Sequence, residues 1–287
     1  MVMLRSALAT CLVLLAVGSA LSAPLEDAIA LYKDKKISEA RTALEVITTA
    51  EPKNAEACYY LGLTLLRTRD PALLESAVGW FKKAVDLEPD NIAYLFEYGG
   101  NSLNLAGKTR SIGTANRGRD ALEKVVKLDP AHLSAHEALY QFYEQAPWPI
   151  GSSSKANAHL EEIRKRDPNR ALNLSITAKT NSKDYAEAFK ICDEALSKTP
   201  DNYIVLMLYG RVAILSGQNL DPALVGLKKC LNLTPPPNVP SPAFVHWRIG
   251  NVLEKKGDKV AARAAYEASL QADPNFSKAT EALEKLK

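Results

Sequence analysis

The chain has 287 residues, of which 47% are hydrophobic and 24% charged, a composition typical of a folded protein. Its formal net charge is only +3, from 36 basic and 33 acidic residues. Because this balance gives no strongly basic surface, we do not expect nucleic acid as a partner.

The first 22 residues have the layout of a secretory signal peptide. Arg5 carries the only charge, an apolar run of about 10 residues follows, and small residues such as Ala20 and Ser22 close the segment. A membrane-spanning helix needs about 20 apolar residues, so we predict cleavage rather than anchoring. Most of the apolar run follows Cys11, which argues against a lipoprotein signal. We therefore expect export, to the periplasm of a bacterium, and no membrane-spanning segment in the mature chain.

A recurring helix ending divides the remaining sequence into seven segments. The stretch FKKAVDLEPDN, residues 81–91, ends an amphipathic helix with a proline, and similar endings recur 32 to 41 residues apart. The prolines are Pro52, Pro89, Pro130, Pro168, Pro200, Pro235 and Pro274. Such a period is typical of repeat proteins. The predicted units are approximately 24–54, 55–91, 92–133, 134–170, 171–202, 203–240 and 241–287.

Small and bulky residues stand at fixed distances before each proline. Twelve positions before it are Ala40, Ala77, Gly118, Ala156, Ala188, Ala223 and Ala262. Four positions later are Leu44, Phe81, Leu122, Leu160, Cys192, Leu227 and Tyr266. We predict that the small residue lets two helices approach and that the bulky residue fills the next gap. In four units the first helix carries a glycine, and we expect the backbone of another helix to lie close to that glycine. The four glycines are Gly62, Gly99, Gly210 and Gly250.

Helix start signals support two helices in each unit. Asp70 and Asp221 each precede a proline, and Asp184 with Glu187 forms a capping box. Further predicted starts are at Asn91, Asn202, Asp258 and Asn275. No segment alternates strictly between apolar and polar residues as a half-buried strand would, so we predict an all-helical chain.

This pattern resembles the tetratricopeptide repeat, a helix-turn-helix unit of 34 residues. The last unit fits without gaps from residue 243 to 276, with Gly250, Ala262, Tyr266 and Pro274 at the expected spacing. The resemblance implies an all-α fold, an alpha-solenoid that forms a right-handed superhelix of about seven units over residues 24–287.

Some units depart from the repeat pattern. The first has Ala28 in place of the helix glycine, and the first helix of the fifth is predicted to be two residues short. Units three and four carry about seven and four extra residues between their helices, counted on the same alignment. These two units are where we expect a specialised function.

The resemblance also implies a binding surface. In this family the first helix of each unit lines a concave groove that binds a protein or peptide partner. The matching positions here are Tyr59, Leu63, Phe96, Gly100, Glu137, Gln141, Met207, Arg211, Trp247 and Asn251. The alternative is that Tyr59, Phe96 and Met207 pack between neighbouring repeats. The Lys, Asn and Arg set with which some members hold chaperone C-termini is not reproduced, so a chaperone tail is not the expected ligand.

The extra residues of units three and four form a second candidate surface, a basic loop edge. Segment 107–120 carries four basic residues, and segment 146–156 adds an aromatic and a fifth. These are Lys108, Arg110, Arg117, Arg119, Trp148 and Lys155. Basic side chains beside an aromatic ring can hold an anionic or sugar-like group. The alternative is a solvent-exposed edge without a ligand.

Three short strings imitate catalytic or metal-binding motifs but are incomplete. GKT at 107–109 lacks the companion glycine of a phosphate-binding loop, and SSSK at 152–155 lacks a lysine-threonine-glycine strand. His132 and His136 are four apart, but Leu133 stands where a zinc protease has its glutamate. We therefore expect no enzyme activity, cofactor or metal.

The sequence thus predicts an exported scaffold for protein-protein interaction, in bacterial cell-envelope or secretion assembly. The alternative is a ligand-binding protein that holds anionic or polysaccharide groups at the loops of units three and four.

Overall fold

The computed structural model of the protein describes residues 22–147, 150–237 and 241–286, which form 15 α-helices and no strand. Almost all of the predicted signal peptide lies outside these residues. The helices of the first four repeats are α1 (Ser22–Lys33), α2 (Ile37–Ala50), α3 (Ala55–Arg67), α4 (Leu74–Leu87), α5 (Ile92–Thr109), α6 (Ile112–Leu128), α7 (Leu133–Gln145) and α8 (Ser153–Arg166). They are followed by α9 (Pro168–Asn181), α10 (Tyr185–Lys198), α11 (Tyr203–Ser216), α12 (Leu220–Cys230), α13 (Pro242–Lys255), α14 (Lys259–Ala272) and α15 (Ser277–Lys285).

We number consecutive helices in twos as repeats 1 to 7, followed by the single helix α15. The chain divides into two compact bodies, residues 1–156 and 157–287. In repeats 1, 2, 3, 5, 6 and 7 the first helix packs against its own second helix, and several first helices also pack against the first helix of the next repeat. The pairs α1–α3 and α5–α7 show the latter contact in the first body, and α9–α11 and α11–α13 show it in the second. The fold is therefore an all-α solenoid, as the sequence predicts.

The predicted packing residues form the core. Six of the seven small residues are alanines with no exposed surface, and among the bulky residues Leu44, Phe81 and Tyr266 are fully buried. Gly62 faces the ring of Phe81, and Gly210 faces Leu227. The expectation of a close backbone holds only for Gly99, where an added Cβ would lie 3.0 Å from the carbonyl oxygen of Gly118. At the other helix glycines the neighbour is the bulky side chain.

Most of the predicted helix starts are capped by side chains. Asn91 accepts a hydrogen bond from the Tyr94 N–H, Asp184 from that of Glu187, and Asp258 from that of Ala261. Two predicted starts are wrong. Helix α12 begins one residue before Asp221, after Asn219 in a left-handed conformation, and α15 begins after Phe276 rather than Asn275. The sequence signals thus give the helix count correctly and these boundaries to within one or two residues.

Two further corrections concern repeats 3 and 5. The extra residues of repeat 3 lengthen its helices instead of forming a loop, because α5 has 18 residues, α6 has 17, and only residues 110–111 separate them. Pro168 does not stop α8 but is the first residue of α9, where Asp167 caps the helix by accepting from the Arg170 N–H. Helix α9 therefore has 14 residues, the same length as α11 and α13, and is not short.

Candidate functional site

A groove pocket lies across the first helices of repeats 5, 6 and 7, with a volume of about 400 Å3. Helix α9 contributes Arg170 and Asn173, helix α11 contributes Met207 and Arg211, and helix α13 contributes the residues described next. Because α11 packs against both α9 and α13, the pocket is formed by three consecutive repeats of the second body. Two of the predicted groove residues, Met207 and Arg211, line it.

Helix α13 places Phe244 and Arg248 in the groove pocket, and neither was among the predicted groove residues. The guanidinium of Arg248 stacks on the ring of Phe244, 4.7 Å from its centroid, and donates a hydrogen bond of 2.7 Å to the carbonyl oxygen of Met207. Burial lowers the pKa of Arg248 to about 10, and the nearby charge of Arg211 acts in the same direction. The pocket therefore holds two arginines close enough to repel each other.

Arg211 is held by neutral groups of the neighbouring repeat. Its guanidinium donates to the Thr177 hydroxyl at 3.5 Å and to the Asn181 side-chain oxygen at 3.3 Å. Apolar side chains of Ile204 and Leu208 complete this part of the pocket. The arrangement combines fixed positive charge with apolar surface, which suits an anionic group attached to an apolar one.

The structure places the predicted groove residues of the first body mainly in contacts between helices. The ring of Tyr59 lies 4.8 Å from that of Tyr94 and 6.0 Å from that of Phe81, and burial raises its pKa to about 12. The Phe96 ring lies 4.9 Å from His132 on the next repeat. Leu63 and Gly100 are half-buried, and Gly100 lines the second pocket described below.

The remaining predicted groove residues are also engaged within the protein. Glu137 accepts a hydrogen bond from Gln141 at 3.2 Å. Trp247 packs against Phe276 beside α15, and the Lys278 ammonium lies 5.2 Å from its ring centroid. Asn251 donates to the Trp247 carbonyl and is 3.2 Å from the Tyr266 hydroxyl. In repeat 7 the groove pocket is thus lined by Phe244 and Arg248 rather than by Trp247 and Asn251.

A second, larger pocket of about 780 Å3, the edge pocket, lies in the first body. It is bounded by the C-terminal part of α5, the start of α6, the end of α7 and the turn that follows. Its apolar lining includes Leu103, Ile112, Phe142, Pro147 and Ile150, and its polar lining includes Asn104, Arg110, Gln141 and Gln145. The longer α5 contributes to it because Ala106, Gly107 and Arg110 belong to or follow its last turn.

The predicted basic loop edge is not gathered around this pocket. Of its described residues only Arg110 lines the edge pocket, and Lys108 is exposed near the end of α5. Arg117 lies within α6 and donates to the Thr114 hydroxyl at 3.0 Å. Trp148 lies outside the described residues.

Arg119 and Lys155 instead contribute to an internal ion cluster. Arg119 pairs with Asp120 at 2.6 Å, and Lys155 lies 3.9 Å from the Glu123 carboxylate. Tyr143 donates a hydrogen bond to Glu123, and its ring lies under the Lys155 ammonium. Burial and the Glu123 carboxylate raise the pKa of Tyr143 above its usual range. These cations are therefore balanced by carboxylates of the protein itself.

The incomplete motifs take part in ordinary helix contacts. His132 caps α7 by accepting from the Ala135 N–H, and His136 is buried with its Nε2 3.1 Å from the Pro130 carbonyl oxygen. In the described part of the chain, no group of three or more His, Cys, Asp or Glu side chains is placed to hold a metal ion. None of the described helices combines the length and apolar character needed to cross a bilayer.

Sequence comparison matches both ends of the solenoid to one family. A tetratricopeptide-repeat model matches residues 25–92, which include most of repeats 1 and 2, and another matches residues 245–276, which include most of repeat 7. No curated protein matches the chain.

Several solved structures share the fold. A tetratricopeptide repeat protein from Parabacteroides merdae aligns with a TM-score of 0.59 at 16% identity, covering 93% of this chain and 99% of that one. The C-terminal part of a repeat-containing protein from Cytophaga hutchinsonii gives 0.52 at 17%, covering 90% and 99%. The MamA protein gives 0.51 at 21%, covering 63% and 92%. At these identities the likeness concerns the fold alone.

The helix pairs and the groove formed by their first helices define a helical-repeat binding protein. The family matches at both ends of the chain, joined by repeats with the same packing residues, identify the class more closely. Residues 25–92 and 245–276 are tetratricopeptide repeats, and the solenoid as a whole has the fold of tetratricopeptide repeat proteins. Proteins of this class generally act as non-enzymatic scaffolds that bind other proteins.

Proposed function

We propose that this protein is an exported, non-enzymatic scaffold that binds a segment of a partner protein in the groove pocket. The observation that carries the proposal is the pocket itself, which three consecutive first helices line and in which α11 places Met207 and Arg211 and α13 places Phe244 and Arg248. Aromatic, methionine and arginine side chains are the types that most often anchor protein interfaces. The partner belongs, in this proposal, to bacterial cell-envelope or secretion assembly.

Export rests on the sequence of the first 22 residues, whose basic start, apolar run and small-residue end are those of a cleaved signal. Fractionation of the source cells followed by N-terminal sequencing of the protein tests it. We expect the mature chain in the envelope fraction, starting after residue 20 to 22. A cytosolic protein with an intact N-terminus would overturn this part of the proposal.

Binding in the groove is tested by proximity labelling with two tryptophan variants. Asn173→Trp fills the groove pocket from an exposed position on α9, whereas Val225→Trp changes a residue that is 69% exposed on α12, outside the pocket. We expect the wild type and Val225→Trp to label the same reproducible set of envelope proteins and Asn173→Trp to lose it. Labelling of the wild type equal to that of an inert exported control would contradict the scaffold function.

The edge pocket favours a second candidate function, the binding of a small anionic or polysaccharide ligand. Its volume of about 780 Å3 lies in the range of small-molecule sites, and Arg110 supplies a positive charge at its lining. We expect Arg110→Ala to reduce binding of purified envelope polysaccharide. Arg117→Ala, an exposed arginine of the same hairpin that does not line the pocket, is the matched control. Equal binding by both variants and the wild type would remove this candidate.

A further inference from the structure

The groove pocket contains positive charge that the protein does not neutralise. In the described structure, Arg211 and Arg248 bond to neutral groups, namely the side chains of Thr177 and Asn181 and the carbonyl oxygen of Met207. Within residues 22–147, 150–237 and 241–286, neither arginine forms an ion pair with a carboxylate. The charged cluster around Glu123 shows the contrasting case, in which the protein supplies the carboxylate itself.

Among the described residues that line the groove pocket, the only acidic one already has another role. The carboxylate of Asp167 accepts the Arg170 N–H at 2.9 Å and thereby caps α9. Among the described residues, one carboxylate thus lines a pocket that Arg211 and Arg248 also line. Two arginines side by side repel each other, and their separation from water increases that repulsion. A ligand that supplies negative charge would relieve it.

The geometry of Arg248 leaves it able to bind such a ligand. Its position is fixed by the stack on Phe244 and by one hydrogen bond to Met207, which uses one of its five N–H donors. A guanidinium that is held in place loses little side-chain entropy on binding and can grip a carboxylate through two parallel hydrogen bonds. The rings and thioether beside it offer apolar contact to the group that carries the carboxylate.

We propose that the groove pocket recognises an acidic peptide segment, in which an Asp or Glu carboxylate binds Arg211 and Arg248 while an adjacent apolar side chain contacts Ile204, Met207 and Phe244. This proposal rests on the proposed function, because it names the chemistry of the partner segment that the groove binds. It assigns the charge specificity to the second body alone.

The test begins with selection of a random peptide library on the purified protein. We expect enriched peptides to place Asp or Glu next to a large apolar residue. The binding of one enriched peptide is then compared with that of its Asn or Gln counterpart by fluorescence anisotropy. Loss of a charge-assisted, bidentate contact is expected to weaken binding at least about tenfold. Enrichment of neutral or basic peptides would overturn the proposal while leaving groove binding intact.

Three arginine variants locate the effect. Arg211→Gln and Arg248→Lys are each expected to weaken binding of the acidic peptide at least about tenfold. Arg248→Lys keeps the positive charge but lacks the planar group that can make two parallel hydrogen bonds to a carboxylate. Arg263→Gln, an exposed position on α14, is the matched control and should bind like the wild type. Thermal melts of each variant show whether a loss of binding is due to a loss of folding. If Arg248→Lys proves unstable, the test depends on Arg211→Gln alone. Equal binding by Arg211→Gln and wild type would refute the assignment.

Two further outcomes distinguish a failure of the acidic-peptide proposal from a failure of the proposed function, which is binding of a partner segment in the groove pocket. If no peptide is enriched and proximity labelling also fails, the groove does not bind protein segments and both proposals fall. If no acidic peptide is enriched but millimolar inorganic phosphate raises the melting temperature of wild type and not of Arg211→Gln, the pocket binds a small anion and the peptide proposal is wrong.

Discussion

Repeats 3 and 7 use the same packing code but carry opposite charges at the same position of their first helix. In α5 and in α13 the residue two positions before the helix glycine is half-buried, and it is Glu97 in the first case and Arg248 in the second. Burial disfavours the charged form of both, raising the pKa of Glu97 and lowering that of Arg248. The comparison shows that the glycine and the bulky residue determine how the two helices of a repeat pack. The residue two positions before the glycine can be acidic or basic within the same packing.

The two hairpins also differ in length and in how their first helix ends. Helix α5 has 18 residues and is followed by Arg110, which is left-handed with φ of 56°. Helix α13 has 14 residues, and its turn uses Gly257 with φ of 84°. Glycine adopts this conformation without a Cβ penalty, whereas arginine does not. Repeat 3 therefore keeps a less favourable residue at a position that lines the edge pocket.

The largest effect is expected where the two helices of repeat 3 approach most closely. An added Cβ at Gly118 would lie 2.8 Å from the Gly99 carbonyl oxygen and 3.0 Å from the Leu103 backbone nitrogen. Backbone atoms, unlike the end of a flexible side chain, cannot rotate out of the way of the added methyl group. Gly118→Ala should therefore destabilise the protein by about 2 to 3 kcal/mol. Gly113→Ala in the same helix is the control, since its Cβ would meet only Arg117 at 3.7 Å. Equal melting temperatures would contradict the close packing.

The next effect concerns the carboxylate that balances the basic residues near repeat 3. Glu123→Gln removes the charged acceptor of the Tyr143 hydroxyl and leaves Lys155 without its nearest carboxylate. Because the site is partly exposed, we expect a loss of about 1 to 2 kcal/mol in urea denaturation. Glu26→Gln, at an exposed position on α1, should change stability little. A loss no larger than that of this control would show that the cluster adds nothing to stability.

A smaller and pH-dependent effect is expected at Glu97. Burial raises its pKa above the usual 4.5, so the folded state binds the proton more tightly than the unfolded state. This contribution to stability is fully present below pH 4.5 and is lost as the pH rises through the folded-state pKa. Glu97→Gln removes the buried charge and can still accept the hydrogen bond from Asn101.

We therefore expect Glu97→Gln to be more stable than the wild type at pH 7, because the variant carries no charge at this buried position. The difference should disappear at pH 4, where the wild-type carboxyl is protonated. Thermal melts of both proteins across this pH range measure it. A constant difference at all pH values would mean that the charge of Glu97 is not its cause.

The smallest effect is expected at the end of α5. Arg110→Gly relieves the left-handed strain and should stabilise the protein by about 0.5 to 1 kcal/mol. Gly257→Arg makes the reverse change in repeat 7 and should destabilise it by a similar amount. If Arg110→Gly lowers the melting temperature instead, Arg110 makes contacts that outweigh its backbone strain.

The sequence by itself determined the class of fold. Spacing alone placed Ala77, Phe81 and their equivalents at the helix contacts, because only small and bulky residues in fixed register let helix pairs stack. It also gave seven pairs and a terminal helix. It misjudged repeat 3, since local composition does not show whether extra residues will extend two helices or form a loop.

Only the tertiary structure decided which side chains reach a pocket. Trp247 matched a groove position of the family, but it packs beside Phe276 and Lys278, and Arg248 lines the groove instead. Arg119 and Lys155 looked like free cations until the structure placed Glu123 and Asp120 beside them. The physical reason is that a sequence lists charges without their distances, and both the pairing of a charge and its exposure to a ligand depend on those distances.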